Sequence, residues 1–243
     1  MALSGMIFDV DGTLVDTNRH HVEAWHRAFE RLGFDVPVER VRSEIGKGGD
    51  KLVPSILGHD VEERCGDALR RAQKKEFLAI AKGEHFRIYP GLRDLFKALP
   101  ERDIRTALAT SSDEEQLQAT LASADVDLTR LADVVATKSD AEESKPAPDI
   151  VVAAVEKLGL SPAECAMVGD TVFDGQSCAS AGVVFLGVLS GGTPLEDLVD
   201  AGAVGVWRDV GHLLADLDRA LEIAALAAAA AGSPSTPTTL GPY

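Results

Sequence analysis

Six short apolar runs punctuate the chain, at residues 5–10 (GMIFDV), 105–109 (RTALA), 133–137 (DVVAT), 165–168 (CAMV), 183–189 (VVFLGVL) and 203–207 (AVGVW). They lack the alternation of a half-exposed strand and fit strands covered on both faces, as in a parallel sheet. Helical spacing fills the intervals at 114–124, 148–158, 175–181 and 194–201. Strand–helix alternation of this kind predicts an α/β fold with a doubly wound parallel sheet.

The interval between the first two runs is different. Residues 16–89 contain no strand-like pattern, while Val22, Trp25, Phe29 and Leu32 recur at three- and four-residue steps and mark a helix stripe. Further helices are expected at 36–44, 50–57 and 61–82. A connection of about 70 residues without structure would be unusual. The expectation is a small all-helical domain, residues 17–89, inserted after the first strand of a core formed by 1–16 and 90–230. An alanine-rich stretch after Leu213 should end in a terminal helix. Residues 231–243 (the end reads GSPSTPTTLGPY) have the composition of a disordered tail.

Charge narrows the partners. The net charge is −15, and it is uneven: residues 1–105 hold 18 basic and 18 acidic side chains, residues 106–243 hold 6 and 21. Such an acidic surface repels nucleic acid and anionic membranes, so neither is an expected partner. No apolar run approaches the length of a membrane span. The opening MALSGMIFDVDG has no basic stretch and reaches Asp9 too early for a secretory signal. Three widely spaced cysteines, Cys65, Cys165 and Cys178, form no metal-binding or disulfide pattern and point to a reduced, cytoplasmic setting.

Candidate chemistry gathers at the ends of the strand-like runs, where α/β sheets bind ligands. Asp9 and Asp11 stand two apart in an extended segment, which puts both carboxylates on one side, and Gly12 permits a sharp departure. Read alone, the segment also fits an Asp-Gly turn. Asp170 and Asp174 follow the 165–168 run, and oxygen ligands of this type suit Mg²⁺. Asp174 fits equally as a helix cap. Thr110, Ser111 and Ser112 form a hydroxyl-rich strand-to-helix turn suited to phosphate, with Ser112 the expected N-cap. Lys145 is fixed between residues of ESKPAPD, although a lone lysine also fits a solvated surface.

Taken together, DVDGTLVDT, ATSS, ESKPAPD and GDTVFD resemble the four motifs of the haloacid dehalogenase superfamily, and the match spans nearly the whole chain except the tail. The resemblance implies a Rossmann-like core with a helical cap and a phosphatase using Mg²⁺. It makes Asp9 the nucleophile that forms an aspartyl-phosphate, and Asp11 the acid and base. The cation would be held by Asp9, the Asp11 carbonyl, Asp170 and Asp174. Thr110, Ser111 and Lys145 would hold the phosphate oxygens. Halogen-removing members that resemble this chain lack an acid at the position of Asp11, so its presence favours phosphate chemistry.

Within the superfamily, the segment from Asp16 to Trp25 resembles the start of the cap in phosphoglycolate phosphatase-like and β-phosphoglucomutase-like members. His21 falls where the mutases time the general acid with cap closure, and also fits a hinge residue with a hydrogen-bonded ring. Arg19, His20 and His26 are expected at the surface. The loop IGKGGDK (45–51) lacks P-loop spacing. Its Lys47 and Gly48 are the substrate-reading candidates, with Lys47 a point charge for an anion, while a flexible turn is the plainer alternative. In the mutases this loop carries an arginine for a second phosphate. The expected substrate is a small phosphorylated metabolite, a sugar phosphate or a phosphoglycolate-like compound; the alternative is a phosphosugar mutase of the β-phosphoglucomutase type. A phospho-receiver module is disfavoured by the helical insertion. The oligomeric state, monomer or homodimer, stays open.

Overall fold

The computed structural model describes residues 3–231, so the expected tail lies outside the described residues except for Ala231, which ends the last helix. Six strands form one parallel sheet: β1 (Gly5–Phe8), β2 (Arg105–Ala109), β3 (Val134–Ala136), β4 (Cys165–Gly169), β5 (Val184–Val188) and β6 (Ala203–Trp207). The order is β3-β2-β1-β4-β5-β6, so the chain winds outward from β1 in both directions. This is the expected doubly wound, Rossmann-like α/β fold. All four residues of β1 and all five of β4 are buried, which explains their unbroken apolar runs.

Five α-helices lie between β1 and β2, and the first four form the inserted unit: α1 (Asn18–Arg31), α2 (Val38–Arg42), α3 (Gly49–Leu57) and α4 (His59–Gly83). Val22, Trp25 and Phe29 of α1 pack with Val41, Leu52, Val53 and Leu69 in a hydrophobic cluster of their own. Leu32 only borders that cluster, because it lies one residue past the helix end. The two crossings between this unit and the sheet run side by side: Val15 bridges Ile88 antiparallel, and Asp16 N donates to Arg87 O at 2.8 Å.

The remaining helices are α5 (Leu92–Ala98), α6 (Glu114–Ser123), α7 (Leu128–Leu131), α8 (Asp149–Leu158), α9 (Val172–Ala181), α10 (Leu195–Asp200), α11 (Val210–Ala215) and α12 (Leu217–Ala231). Helix α9 starts three residues before the expected 175. Thr171 caps it reciprocally with Asp174, which draws Asp174 into the first turn. Helix α6 is capped by Asp113, whose carboxylate accepts from Gln116 N, and not by Ser112. No helix among the described residues is long and apolar enough to cross a membrane.

Candidate active site

The site follows from the strand register. Phe8, the last residue of β1, lies beside Leu108 of β2 and Val168 of β4. The chain therefore leaves three neighbouring strands at one level, and Asp9, Thr110 and Asp170 emerge side by side. The sheet order reverses direction at β1, the position where open α/β sheets bind ligands. Gly12 then turns the chain with φ +82; a Cβ there would stand 2.4 Å from Asp170 Oδ2, so the turn and the close approach both demand glycine.

Asp9, Asp170 and Asp174 present one oxygen each within 4.8 Å of one another, and all three residues are buried. Lys145, 1% exposed, donates from Nζ to Asp9 Oδ1 at 2.6 Å and to Ala109 O at 3.2 Å, and ion-pairs with Asp174 Oδ1 at 2.7 Å. The expected surface alternative for this lysine is thereby excluded. One ammonium faces three carboxylates, and the imbalance shows in their proton affinity. Burial, only partly offset by Lys145 and reinforced by Asp174 and Asp11, pushes Asp9 up to about 7. Burial and the charges of Asp9 and Asp174 raise Asp170 well above the usual carboxylate range. Burial alone would lower Lys145, but Asp174 and Asp9 overcome it and hold the ammonium protonated.

This donor set fits a hard divalent cation. It is all oxygen, and its three carboxylates outnumber the single ammonium of Lys145 that pairs with two of them. Asp174 Oδ2 is meanwhile held by Thr171 N at 3.0 Å and Thr171 Oγ1 at 2.7 Å, so the residue serves as helix cap and cluster member together. Asp170 is steadied by Thr13 Oγ1 (2.9 Å) and by Asn18 Nδ2 (2.8 Å), neither of them identified from the sequence.

The carboxylate of Asp11 lies outside that cluster and has another environment. Its Oδ1 accepts from Thr17 Oγ1 at 2.6 Å and lies 3.1 Å from His21 Nε2. Its Oδ2 accepts from Ser112 Oγ at 3.2 Å and Thr110 Oγ1 at 3.5 Å. Burial would raise it, but the attraction of His21 and the hydrogen bonds from His21, Thr17 and Ser112 prevail and lower it to about 2. Two carboxylates two residues apart thus have opposite proton affinities. Thr110 Oγ1 also accepts from Ser112 N at 3.0 Å, and Ser111 Oγ, buried beside the same cavity, has no hydrogen-bond partner among the described residues.

The cavity, about 80 Å³, is lined by Asp9, Asp11, Thr110, Ser111, Asp170 and Asp174 from the sheet side. From the helical unit it is lined by His21, Trp25, residues 45–49 and Gln73. His21 stacks on Phe77 with ring centroids 4.1 Å apart, and its Nδ1 lies 3.5 Å from Gln73 Nε2. His20, expected at the surface, is 2% exposed and packs its ring 4.2 Å from that of Phe86. Lys47 and Gly48 both line the cavity, but the Lys47 ammonium is already engaged by Glu44, by Ser55 Oγ at 2.9 Å and by the Phe173 ring at 4.7 Å. The glycines of this loop allow close docking: a Cβ at Gly46 would meet Thr171 at 2.7 Å, and one at Gly48 would meet Ser144 at 2.1 Å.

A Rossmann-like sheet with four acids, a buried lysine and a threonine at its switch point, under a helical unit inserted after β1, has the makings of an enzyme that handles phosphoryl groups. The sequence profile of the haloacid dehalogenase-like hydrolases matches residues 3–182, and the chain belongs to that family. It is similar to a phosphoglycolate phosphatase of Nitrosospira multiformis, with 31% identity over 186 residues that cover 75% of this chain and 81% of that protein. It is also similar to a β-phosphoglucomutase of Bacillus subtilis, with 29% identity over 203 residues that cover 78% of this chain and 84% of that one. The crystal structure of a hydrolase from Pseudomonas syringae superposes with a TM-score of 0.82 at 27% identity, covering 89% of this chain and 98% of that one.

Proposed function

We propose that the protein is a Mg²⁺-dependent phosphatase that hydrolyses a small phosphorylated metabolite through an aspartyl-phosphate on Asp9. The observation that carries this reading is the contrast between Asp9 and Asp11. Asp9 sits among Lys145, Asp170 and Asp174, while Asp11 is turned to His21 and the hydroxyls of Thr17 and Ser112. One is placed to meet phosphorus and the other to handle protons.

Asp9, Asp170 and Asp174 would hold Mg²⁺, with the Asp11 carbonyl as a further ligand. The cation supplies neutralisation of charge between an anionic nucleophile and an anionic phosphate. Lys145 fixes Asp9 and offsets charge on the non-bridging oxygens, together with Thr110 and Ser111. In the first half-reaction an Asp9 oxygen forms a bond to phosphorus, the ester P–O bond breaks, and the leaving oxygen takes a proton from Asp11. His21 Nε2, 3.1 Å from Asp11 Oδ1, orients that carboxyl group beside the leaving oxygen. In the second half-reaction Asp11 takes a proton from water as it attacks phosphorus, the P–O bond to Asp9 breaks, and phosphate departs.

The helical unit, residues 17–89, acts in this reading as a cap over residues 1–16 and 90–230. Cys65, Cys165 and Cys178 are all free, which supports the cytoplasm as the setting. Hydrolysis is favoured over mutase chemistry because Lys47, the cation of the cap loop, is already matched by Glu44. The reading is tested by phosphate release from a panel of phosphate esters with Mg²⁺ and with a chelator. Asp9→Asn should abolish release with an unchanged circular-dichroism spectrum; full activity in that variant, or interconversion of glucose phosphates without release, would overturn it.

A further inference from the structure

Asn18, the first residue of α1, is where the helical unit touches the acid cluster. Its Nδ2 donates to Asp170 Oδ2 at 2.8 Å and to Gly191 O, in the turn that follows β5, at 3.2 Å. Both partners are acceptors, so the amide nitrogen must face them, and its two hydrogens are both spent there. The surrounding backbone comes too close for side chains: a Cβ at Gly12 or at Gly191 would collide with Asp170 Oδ2 and with Asn18 Nδ2 alike. The segments that leave β1, β4 and β5 thus close on one amide carried by the inserted unit.

The other contacts of that unit with the sheet side stop short of the cluster. Thr17 and His21 reach Asp11. The ion pairs of Asp50, Lys51 and Lys74 end on residues 113–115 and 138–143. Among the described residues, no other side chain of 17–89 hydrogen-bonds Asp9, Asp170 or Asp174. The turn after β5 also holds both chain crossings: Ser190 Oγ donates to Gly12 O at 2.7 Å, and Ser190 O accepts from Tyr89 Oη at 2.9 Å. Of the ties made by this turn, the one through Asn18 alone includes an acid of the cluster.

We infer, on the basis of the Mg²⁺ reading above, that Asn18 is a positioning residue for the cation: it orients Asp170 as a ligand and makes cation binding and attachment of the helical unit depend on each other. A carboxylate shared between a cation and an amide is fixed by both. An outer partner of this kind is typically worth 10- to 100-fold in metal affinity. The coupling is reciprocal, so a cation that fixes Asp170 also fixes the first turn of α1.

The experiment titrates the full-length protein with MgCl₂ in a calorimeter, without substrate. Asn18→Leu, which keeps the size of the side chain and removes its donors, and Asn18→Ala should each weaken Mg²⁺ binding by about 10- to 100-fold. Ser190→Ala breaks a neighbouring tie that touches no acid of the cluster, and should leave the affinity unchanged. Hydrogen exchange read by mass spectrometry tests the coupling. Saturating Mg²⁺ should slow exchange in peptides covering residues 16–25 of the wild-type protein, and should not do so in Asn18→Leu at its own saturating concentration. Equal affinity in wild type and the Asn18 variants, an equal loss in Ser190→Ala, or equal protection in Asn18→Leu overturns the inference and leaves the phosphatase reading standing. The wild-type exchange measurement decides even if the Asn18 variants fail to fold: a first turn of α1 that Mg²⁺ leaves unprotected overturns the inference. A wild-type protein that binds no Mg²⁺ overturns the cation reading itself, and the inference with it.

Discussion

Lys145 Nζ donates to Asp9 Oδ1 at 2.6 Å across 136 residues of sequence, inside a pocket where the lysine is 1% exposed. The pair keeps Asp9 oriented and lowers the cost of its charge, but one ammonium does not balance three carboxylates. Lys145→Met should therefore lower kcat by a factor of about 10²–10³, the usual consequence of losing one preorganised charge at a reacting group. It should also destabilise the metal-free protein, by about 3–5 kcal/mol for the broken buried pair. Thermal melts at pH 8 with and without Mg²⁺ check the second effect, and added cation should recover part of the loss.

The carboxylate surplus also sets the pH dependence of the metal-free protein. Asp9 has its folded value raised to about 7, above its ordinary 3.8, so its contribution favours folding at low pH and is lost as pH rises from about 4 through 7. The melting temperature of the chelator-treated protein should fall over that window. Mg²⁺ should raise it more at pH 8 than at pH 6, and calorimetry in buffers of different ionisation heat should show protons released on binding near neutral pH.

His21 touches Asp11, not the cation cluster, and its replacement should affect proton delivery more than phosphate binding. His21→Asn should reduce kcat for alkyl phosphates, whose leaving oxygens need a proton, by about 10². The loss should be much smaller for p-nitrophenyl phosphate, whose leaving group needs none. Equal losses on both substrates would place His21 in structure alone.

In the proposed reading, closure of the cap relies on Asp50, at the start of α3, which links the helical unit to the sheet side. It accepts from Lys138 Nζ at 2.8 Å and from Ser144 Oγ at 2.6 Å, one residue before Lys145. Burial works against its charge, but Lys138 and Ser144 prevail and lower it to about 2. The depressed value means that the latch is complete above about pH 4 and weakens only as pH falls toward 2. Asp50 is partly exposed, so Asp50→Asn should cost only about 1 kcal/mol of closure, roughly a fivefold loss in kcat/KM. Stopped-flow binding of phosphate, read through Trp25 fluorescence, would report the slower or weaker closing.

Much of this site is legible in the sequence because its residues are placed by local rules. Asp9, Thr110 and Asp170 each follow the last residue of a strand that is buried at that end, and parallel pairing in register brings such ends together. Other parts have no local mark. Asn18 and Thr13 steady Asp170 from more than 150 residues away, and Gln73 meets Gln116 only because α4 packs on α6. His20 looks like a surface residue until Phe86, 66 positions on, supplies the ring that covers it. The charge of Lys47 suggests an anion site; Glu44, three residues earlier and buried, engages its ammonium together with Arg40, and burial is a tertiary property that a charge pattern does not carry.

The account stands on Asp9 as the acceptor of the phosphoryl group, and trapping that group tests it most directly. Protein mixed with a ³²P-labelled monophosphate ester and Mg²⁺ should be acid-quenched at a series of times within the first turnover, digested and mapped. The expected result is a hydroxylamine-labile label on the peptide containing Asp9, rising and decaying as phosphate appears. Phosphate released at the full rate with that peptide unlabelled at every time, or a label on a serine or histidine instead, would contradict it.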